Sequence, residues 1–342
     1  MKPIVYNSAL KLPKNTKIVS AFKSALTELF YTRNPKFKKG QKNTSEHLNK
    51  FFKKNKIKPV WLYYQSLNTA VQTLPEKEFF ELRTARNKNI IQKKEQLAFR
   101  GLKIGVAGLS VGSSIVSAVV LSGGSKNIKI ADFDNLELTN LNRIQANILN
   151  LGQDKCQIAA ERVWTLDPYA NLELYSKGLD EQNLEKFLLK PKLSVFIDEM
   201  DSIHLKILAR QICKKHKIPV LMATDNGDGI ILDVERFDQD PKLKIFQGRL
   251  ENIDLSDLKN LPFPKWLELA NKIVGINLLS NRMKESISQI GKKITSVPQL
   301  GTSATVAGSV ISLALRKIAT KQKLNSGRYT YDLEQVFYAK RT

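Results

Sequence analysis

Between residues 102 and 223 the chain repeats one pattern. A short, mostly apolar run, often closed by glycine or an acid, alternates with a longer segment of helical spacing. Runs at 102–107, 128–131, 172–175, 193–197 and 219–223 read as strands. Segments at 113–122, 153–166 and 203–216 read as helices, as does the stretch after Asp180 that carries Leu184, Phe187 and Leu188. Asp167-Pro168 stops the second of these helices, because the residue before proline avoids the helical region. Strands alternating with helices in this way specify a parallel sheet covered on both faces. The expected fold class is α/β, a doubly wound and mostly parallel sheet. Residues 230–237 open a different, antiparallel section, and the last hundred residues offer one clear helix, at 303–319.

The chain of 342 residues divides into three expected regions. Residues 1–80 form a basic, mostly helical N-terminal region, with helical spacing at 19–31 and again at 61–74. Residues 81–238 form a nucleotide-binding domain, and 239–342 an extension that completes it. The formal charge is +23, and residues 1–100 hold 22 basic and 6 acidic side chains of the total. This excess, with an exposed basic loop expected at 36–42, admits a nucleic-acid or acidic-membrane partner. It is mostly Lys with loosely interleaved aromatics, however, which fits a surface solubilised by lysine.

Two stretches, 104–125 and 295–315, lack charge for about the length of a membrane span. Their glycines, serines and threonines fit buried elements better, so no membrane partner is expected. Cys156 and Cys213 are too few for a disulfide framework or a four-thiolate zinc site. The N-terminus has no apolar run of signal-peptide length. A reducing, cytoplasmic setting is expected.

In a doubly wound sheet, ligands bind beyond the carboxyl ends of the strands. The first strand ends in Gly108-Leu109-Ser110-Val111-Gly112, where small residues and a helix N-terminus suit a phosphate. The second ends in Asp132, placed to accept hydrogen bonds from a ribose. A polar amide and two cations follow, Asn140, Arg143 and Lys155, which suit a triphosphate and have no use in a dinucleotide dehydrogenase. Each of these residues alone could be a solvated strand-end group.

Taken in order, GLSVGS, ADFDNLELTNLNR, GQDK and IDEMDS resemble the ThiF/MoeB superfamily of ubiquitin-activating-like adenylyltransferases. The resemblance covers roughly residues 83–236. VLMATDNGDGIILDVERFD, SVPQLGT and SGRYTYDL are similar to a bacterial ThiF-like subgroup, some members of which are fused to a nitroreductase-like domain. The resemblance implies a Rossmann-like sheet, ATP and Mg²⁺ as cofactors, and a homodimer. The Gly108–Gly112 turn, Ser110 included, would contact phosphates and Asp132 the ribose. Asn140 and Arg143 would contact the phosphate chain, and Lys155 the α-phosphate. Asp201 would hold Mg²⁺, with Asp198 a strand-end support. An arginine from LRTARNKNII would enter the partner subunit's site; among Arg83, Arg86 and Lys88, Arg86 is preferred.

The paired CxxC motifs of many relatives are missing, so no zinc is expected. The thioester cysteine expected after residue 236 is missing too. The implied activity is ATP-dependent activation of a carboxylate as an acyl-adenylate, without a catalytic cysteine. The carboxylate would belong to a peptide, a small carrier protein or a small molecule. A tRNA-modifying carboxylate-activating enzyme and a non-catalytic nucleotide-binding module are the alternatives.

Overall fold

The computed structural model describes residues 1–41, 44–251 and 258–334. The chain divides into two compact units. The first comprises Met1–Gln96 with Ala160–Ala170, and the second Leu97–Ala159 with Asn171–Thr342.

The first unit is built on a four-stranded sheet of order β1-β3-β4-β2. Its elements are β1 (Ile4–Tyr6), β2 (Lys17–Ser20), α1 (Phe22–Arg33), α2 (Thr44–Asn55), β3 (Val60–Tyr64), β4 (Thr69–Thr73) and α3 (Glu76–Arg83). Leu26 and Leu29 of α1 pack with Leu74, and Phe51, Phe52, Phe79 and Leu82 close the cluster. Arg33 grips Glu81 with two parallel hydrogen bonds, at 2.9 and 2.7 Å, the geometry that suits a guanidinium and a carboxylate.

The helix expected at 61–74 is not there. Those residues form β3 and β4, an antiparallel hairpin turning at Asn68, whose φ of 42° lies in the left-handed region that Asn tolerates. Contiguous apolar residues satisfy either period, and the turn decided the outcome. Of the basic loop expected at 36–42, residues 38–41 are exposed, and Lys42 lies outside the described residues.

The second unit carries a seven-stranded sheet of order β11-β10-β9-β8-β5-β6-β7. After α4 (Lys93–Gly101) come β5 (Lys103–Ala107), α5 (Val111–Leu121), β6 (Asn127–Ala131), α6 (Lys155–Leu166), β7 (Asn171–Tyr175), α7 (Leu184–Leu189), β8 (Val195–Asp198), α8 (Ile203–Lys215) and β9 (Val220–Asn226). Strands β5 to β9 are parallel where they pair, as the alternation requires. β10 (Gly229–Glu235) returns antiparallel to β9, and β11 (Gly327–Tyr331) adds antiparallel to β10. The core under α7 and α8 holds Phe187, Phe196, Leu188, Ala209, Cys213 and Val220. Each large side chain of this kind contributes about 2 kcal/mol by leaving water.

After β10 the chain is richer than the sequence suggested. It forms α9 (Phe263–Val274), α10 (Asn281–Gln289) and α11 (Gly301–Ala319). α11 lies against α5 at backbone distance: a Cβ on Gly308 would stand 2.7 Å from the Ser114 carbonyl oxygen. Gly301 faces Asn142, Gly308 faces Ser114, and Ser312 faces Ser122, so the two helices run in the same direction. Both uncharged stretches therefore end as packed helices of one unit. Among the described residues, no helix is long and apolar enough to cross a membrane.

Candidate functional site

Strands β5 and β8 are neighbours, yet the chain goes on from β5 to β6 on one flank and from β8 to β9 on the other. This is the switch point beyond whose carboxyl ends such sheets bind ligands in a crevice. The turn after β5 is fixed by one glycine. Gly108 has φ +89°, and a Cβ there would meet the Glu199 carbonyl oxygen at 2.1 Å. Only glycine fits, because the backbones leaving β5 and β8 touch at this point.

Asp132, at the end of β6, braces the same turn. Its Oδ2 accepts from the Leu109 N–H at 2.6 Å and its Oδ1 from the Asp134 N–H at 2.9 Å. Burial pushes its carboxyl above the usual range, and these two N–H groups and Lys155 pull it back toward the charged form. Lys155 opens α6, is buried, and holds Asp134 Oδ2 at 2.7 Å. The Asp134 carbonyl accepts from the Lys155 N–H at 3.1 Å, so side chain and backbone fasten the same two residues. Asn140 is buried, and its Oδ1 accepts from the Glu137 N–H at 3.0 Å, which leaves its amide N–H₂ to donate.

Arg143 is the half-buried cation of the crevice. Its Nε donates to Ser110 Oγ at 2.7 Å, and its Nη1 donates to the Thr139 carbonyl at 3.1 Å and to Asn142 Oδ1 at 2.9 Å. Burial works against its charge, while Asp225 and Asp201 favour it. Asp201 is exposed just after β8. Asp198, by contrast, is fully buried and bound by Arg210 and Lys206, as befits a strand-end support.

The structure thus gathers Gly108, Ser110, Gly112, Asp132, Asn140, Arg143, Lys155 and Asp201 on the side of the second unit's sheet where the central parallel strands end. Arg86 belongs to the first unit, where it is exposed on a short 3-10 turn (Ala85–Asn87). Arg83 in the same unit is engaged with Asp167 at 3.2 Å. Both thiols are buried, and burial raises them: Cys156 to about 12, and Cys213 upward as well.

Three residues of the crevice escaped the sequence reading. Asp225, near the end of β9, is buried; its Oδ2 accepts from Gln299 Nε2 at 2.8 Å, and among the described residues its Oδ1 has no hydrogen-bond partner. Burial raises its carboxyl, against Gln299, Ser303 and Arg143. Gln299, just before α11, also accepts from Ser110 Oγ at 3.3 Å. Glu199 accepts from the Ala223 N–H at 2.9 Å and is raised well above the usual carboxylate range by burial. The signal for Asp225 was available: the strand-end rule that selected Asp132 applies equally to the strand at 219–223.

An arrangement of this kind can hold an anion of several charges against a helix N-terminus, with an acid set aside for hydroxyl groups. Comparison with known proteins gives the family. The ThiF family pattern matches residues 83–339. A Mycobacterium tuberculosis (strain CDC 1551 / Oshkosh) protein named "Uncharacterized protein MT1398" is 34% identical over 273 residues, 80% of this chain and 38% of that protein. The chain thus spans less than two fifths of that relative's length. The tRNA threonylcarbamoyladenosine dehydratase of Bacillus subtilis (strain 168) is 27% identical over 174 residues, 48% of this chain and 68% of that protein. Among solved structures, the E. coli tRNA N6-threonylcarbamoyladenosine dehydratase in complex with ATP superposes with a TM-score of 0.50 at 19% identity. The match covers 72% of this chain and 98% of that one, a likeness of fold.

Proposed function

The chain belongs to the ThiF family, and on that premise we propose that it activates a carboxylate by adenylyl transfer from ATP. One observation carries the reading. Among the described residues, the side-chain hydrogen bonds that hold Arg143 at the strand ends go to neutral groups, beside a glycine turn and a ribose-ready acid. A half-buried cation so oriented is suited to a phosphate chain that brings the missing negative charge.

In this reading the Gly108–Gly112 turn receives the phosphates, and Asp132 keeps lone pairs for the ribose hydroxyls. Asn140 donates its amide N–H₂ to the phosphate chain, and Arg143 and Lys155 neutralise charge at the α-phosphate. A carboxylate oxygen of the substrate forms a bond to the α-phosphorus. The bond from that phosphorus to the bridging oxygen breaks, and its electron pair leaves with pyrophosphate. All reactants are anions, so positioning and charge neutralisation do most of the work.

No protein nucleophile is needed, in keeping with two buried thiols whose acidity is suppressed. Among the described residues no cluster of three acids, histidines or cysteines could hold a resident metal. The single exposed carboxylate of Asp201 suits Mg²⁺ carried in by the nucleotide, since that ion keeps phosphate and water ligands. When bound there it would supply charge neutralisation at the phosphates. Arg86 is the residue we assign to a partner protomer's site in a homodimer, and the setting is cytoplasmic.

The acyl partner is a peptide, a small carrier protein or a small molecule. A tRNA substrate is the second reading, favoured by the net +16 of residues 1–100 and by the relative named a tRNA dehydratase. Exchange of labelled pyrophosphate into ATP, driven by candidate peptides, tests the first; absence of exchange across all carboxylates offered would sink it. The tRNA reading predicts binding that weakens steeply with salt, and flat or absent binding between 50 and 200 mM salt would remove it.

A further inference from the structure

We infer that Gln299 and Asp225 are positioning residues that hold the Arg143 guanidinium in its anion-receiving orientation. The inference rests on the nucleotide reading of Arg143 for its purpose, and on geometry for its substance.

Two clamps hold Arg143, and both end on Gln299. In the first, Arg143 Nε donates to Ser110 Oγ at 2.7 Å, and that hydroxyl donates to Gln299 Oε1 at 3.3 Å. In the second, Arg143 Nη1 donates to Asn142 Oδ1 at 2.9 Å, and Asn142 Nδ2 donates to the Gln299 carbonyl oxygen at 2.7 Å. The polarity of the ring is set from its far end. Asp225 Oδ2 accepts at 2.8 Å, so the Gln299 amide nitrogen faces it and Oε1 faces Ser110. The Ser110 hydroxyl must then spend its proton on Gln299 and keep a lone pair for Arg143. With Asp225 ionised, every donor in this relay meets an acceptor.

The same residues explain why the guanidinium is not neutralised. Asp225 is buried and close enough to favour the arginine's charge, yet its contact passes through the Gln299 amide. A direct ion pair would occupy the donors that an incoming phosphate needs. Gln299 keeps the carboxylate near the cation and off its fork. Gly301, two residues on, packs so closely on Asn142 that a Cβ would stand 2.6 Å from its carbonyl oxygen, so the clamp is seated on a fixed segment.

The test uses the full chain and five variants, Gln299→Leu, Asp225→Leu, Asp225→Asn, Arg143→Leu and the Gln299→Leu, Arg143→Leu double variant, with MgATP as probe. Two measurements are made: MgATP affinity by calorimetry, and solvent exchange of the Arg143 Nε–H proton by NMR without nucleotide. Gln299→Leu is expected to weaken MgATP about tenfold or more and to speed the Nε–H exchange several-fold. Asp225→Leu should do the same, while Asp225→Asn, which keeps an acceptor for Gln299, should stay within about threefold of the parent in both. In an Arg143→Leu background, Gln299→Leu should cost no further affinity, because its effect passes through the arginine.

Unchanged Arg143 Nε–H exchange in Gln299→Leu overturns the inference. So does a full tenfold loss that persists in the Arg143→Leu background. If the parent binds no MgATP, the adenylylation reading falls while the exchange measurement still decides the clamp. Should Gln299→Leu fold poorly, Ser110→Ala breaks the first clamp alone and carries the same exchange prediction.

Discussion

The second unit holds two sets of buried charges, and they are built to opposite rules. Beneath the sheet, Arg210 is fully buried between Asp198 and Glu235, with Lys206 on the other Asp198 oxygen and the Phe246 N–H on Glu235. The Arg210 guanidinium also lies 3.9 Å over the Phe246 ring. Nearby, Asp233 is gripped by Arg249 at 2.8 Å and Arg328 at 2.9 Å. There each charge meets its opposite directly. At the strand ends, among the described residues, Arg143 donates to a hydroxyl, a carbonyl and an amide, and Asp225 Oδ1 has no hydrogen-bond partner. A buried ion pair broken on one side is costly, whereas a cation held by neutral groups has its counter-charge still to come. The first arrangement fixes strands, and the second receives a ligand.

Arg210→Leu should break the comparison from the structural side. It takes the shared guanidinium from two buried carboxylates, and a loss of about 3–5 kcal/mol in chemical denaturation is expected. A loss under 1 kcal/mol would mean that the network is dispensable and that the contrast drawn here is empty.

Arg143→Leu sharpens it from the other side. Pyrophosphate exchange should fall on the order of a hundredfold, as for loss of a charge-stabilising donor. The denaturation midpoint should move little, since no charged partner is stranded. A large stability loss with activity retained would place Arg143 with the structural set.

How far these two sets could be read from sequence follows from how far apart their members lie. The strands were legible as short, mostly apolar runs, several of them closed by a glycine or an acid, and Asp132, Arg143 and Lys155 follow one another within 24 positions. The hairpin of β3 and β4 was misread as a helix because Trp61, Leu62, Tyr63 and Tyr64 are apolar at every position. Gln299 meets Ser110 across 189 residues and Asp225 across 74, and no local pattern encodes such a meeting. Asp198 and Asp201 stand three apart, and neighbours on α8 and β10 made one of them structural.

A gentler probe is Asp225→Asn, read by thermal unfolding against pH. Burial raises this carboxyl in the folded chain, so the fold favours its protonated form and its ionisation costs stability. The variant should be more stable than the parent at pH 8. That gain should shrink as pH falls through the raised value and vanish below the ordinary aspartate range. A variant less stable at pH 8 would show Asp225 to be an ordinary structural acid, like Asp198.

The smallest effect is expected from the thiols. A Cys156→Ser, Cys213→Ser double variant should keep pyrophosphate exchange within about threefold of the parent, because neither buried thiol has ready access to its thiolate. A reducible thioester trapped on either cysteine, with exchange lost in its serine variant, would put a covalent step into the reaction.

The backbone-close packing of α11 on α5 has a consequence for binding thermodynamics. Gly301 and Gly308 seat α11 against Asn142 and Ser114 with no long side chains between, so few rotamers remain to be frozen when a ligand arrives. The loop carrying Gln299 is rigid at its root before any anion enters. The entropy of ordering that loop is lost during folding rather than during association, which leaves more of the electrostatic attraction to appear as affinity. Two aligned helix dipoles also meet at that end, and their mutual repulsion falls when an anion sits between them. Occupancy and fold stability are therefore coupled through α11, and an unfolding temperature that climbs with nucleotide concentration is the expected signature.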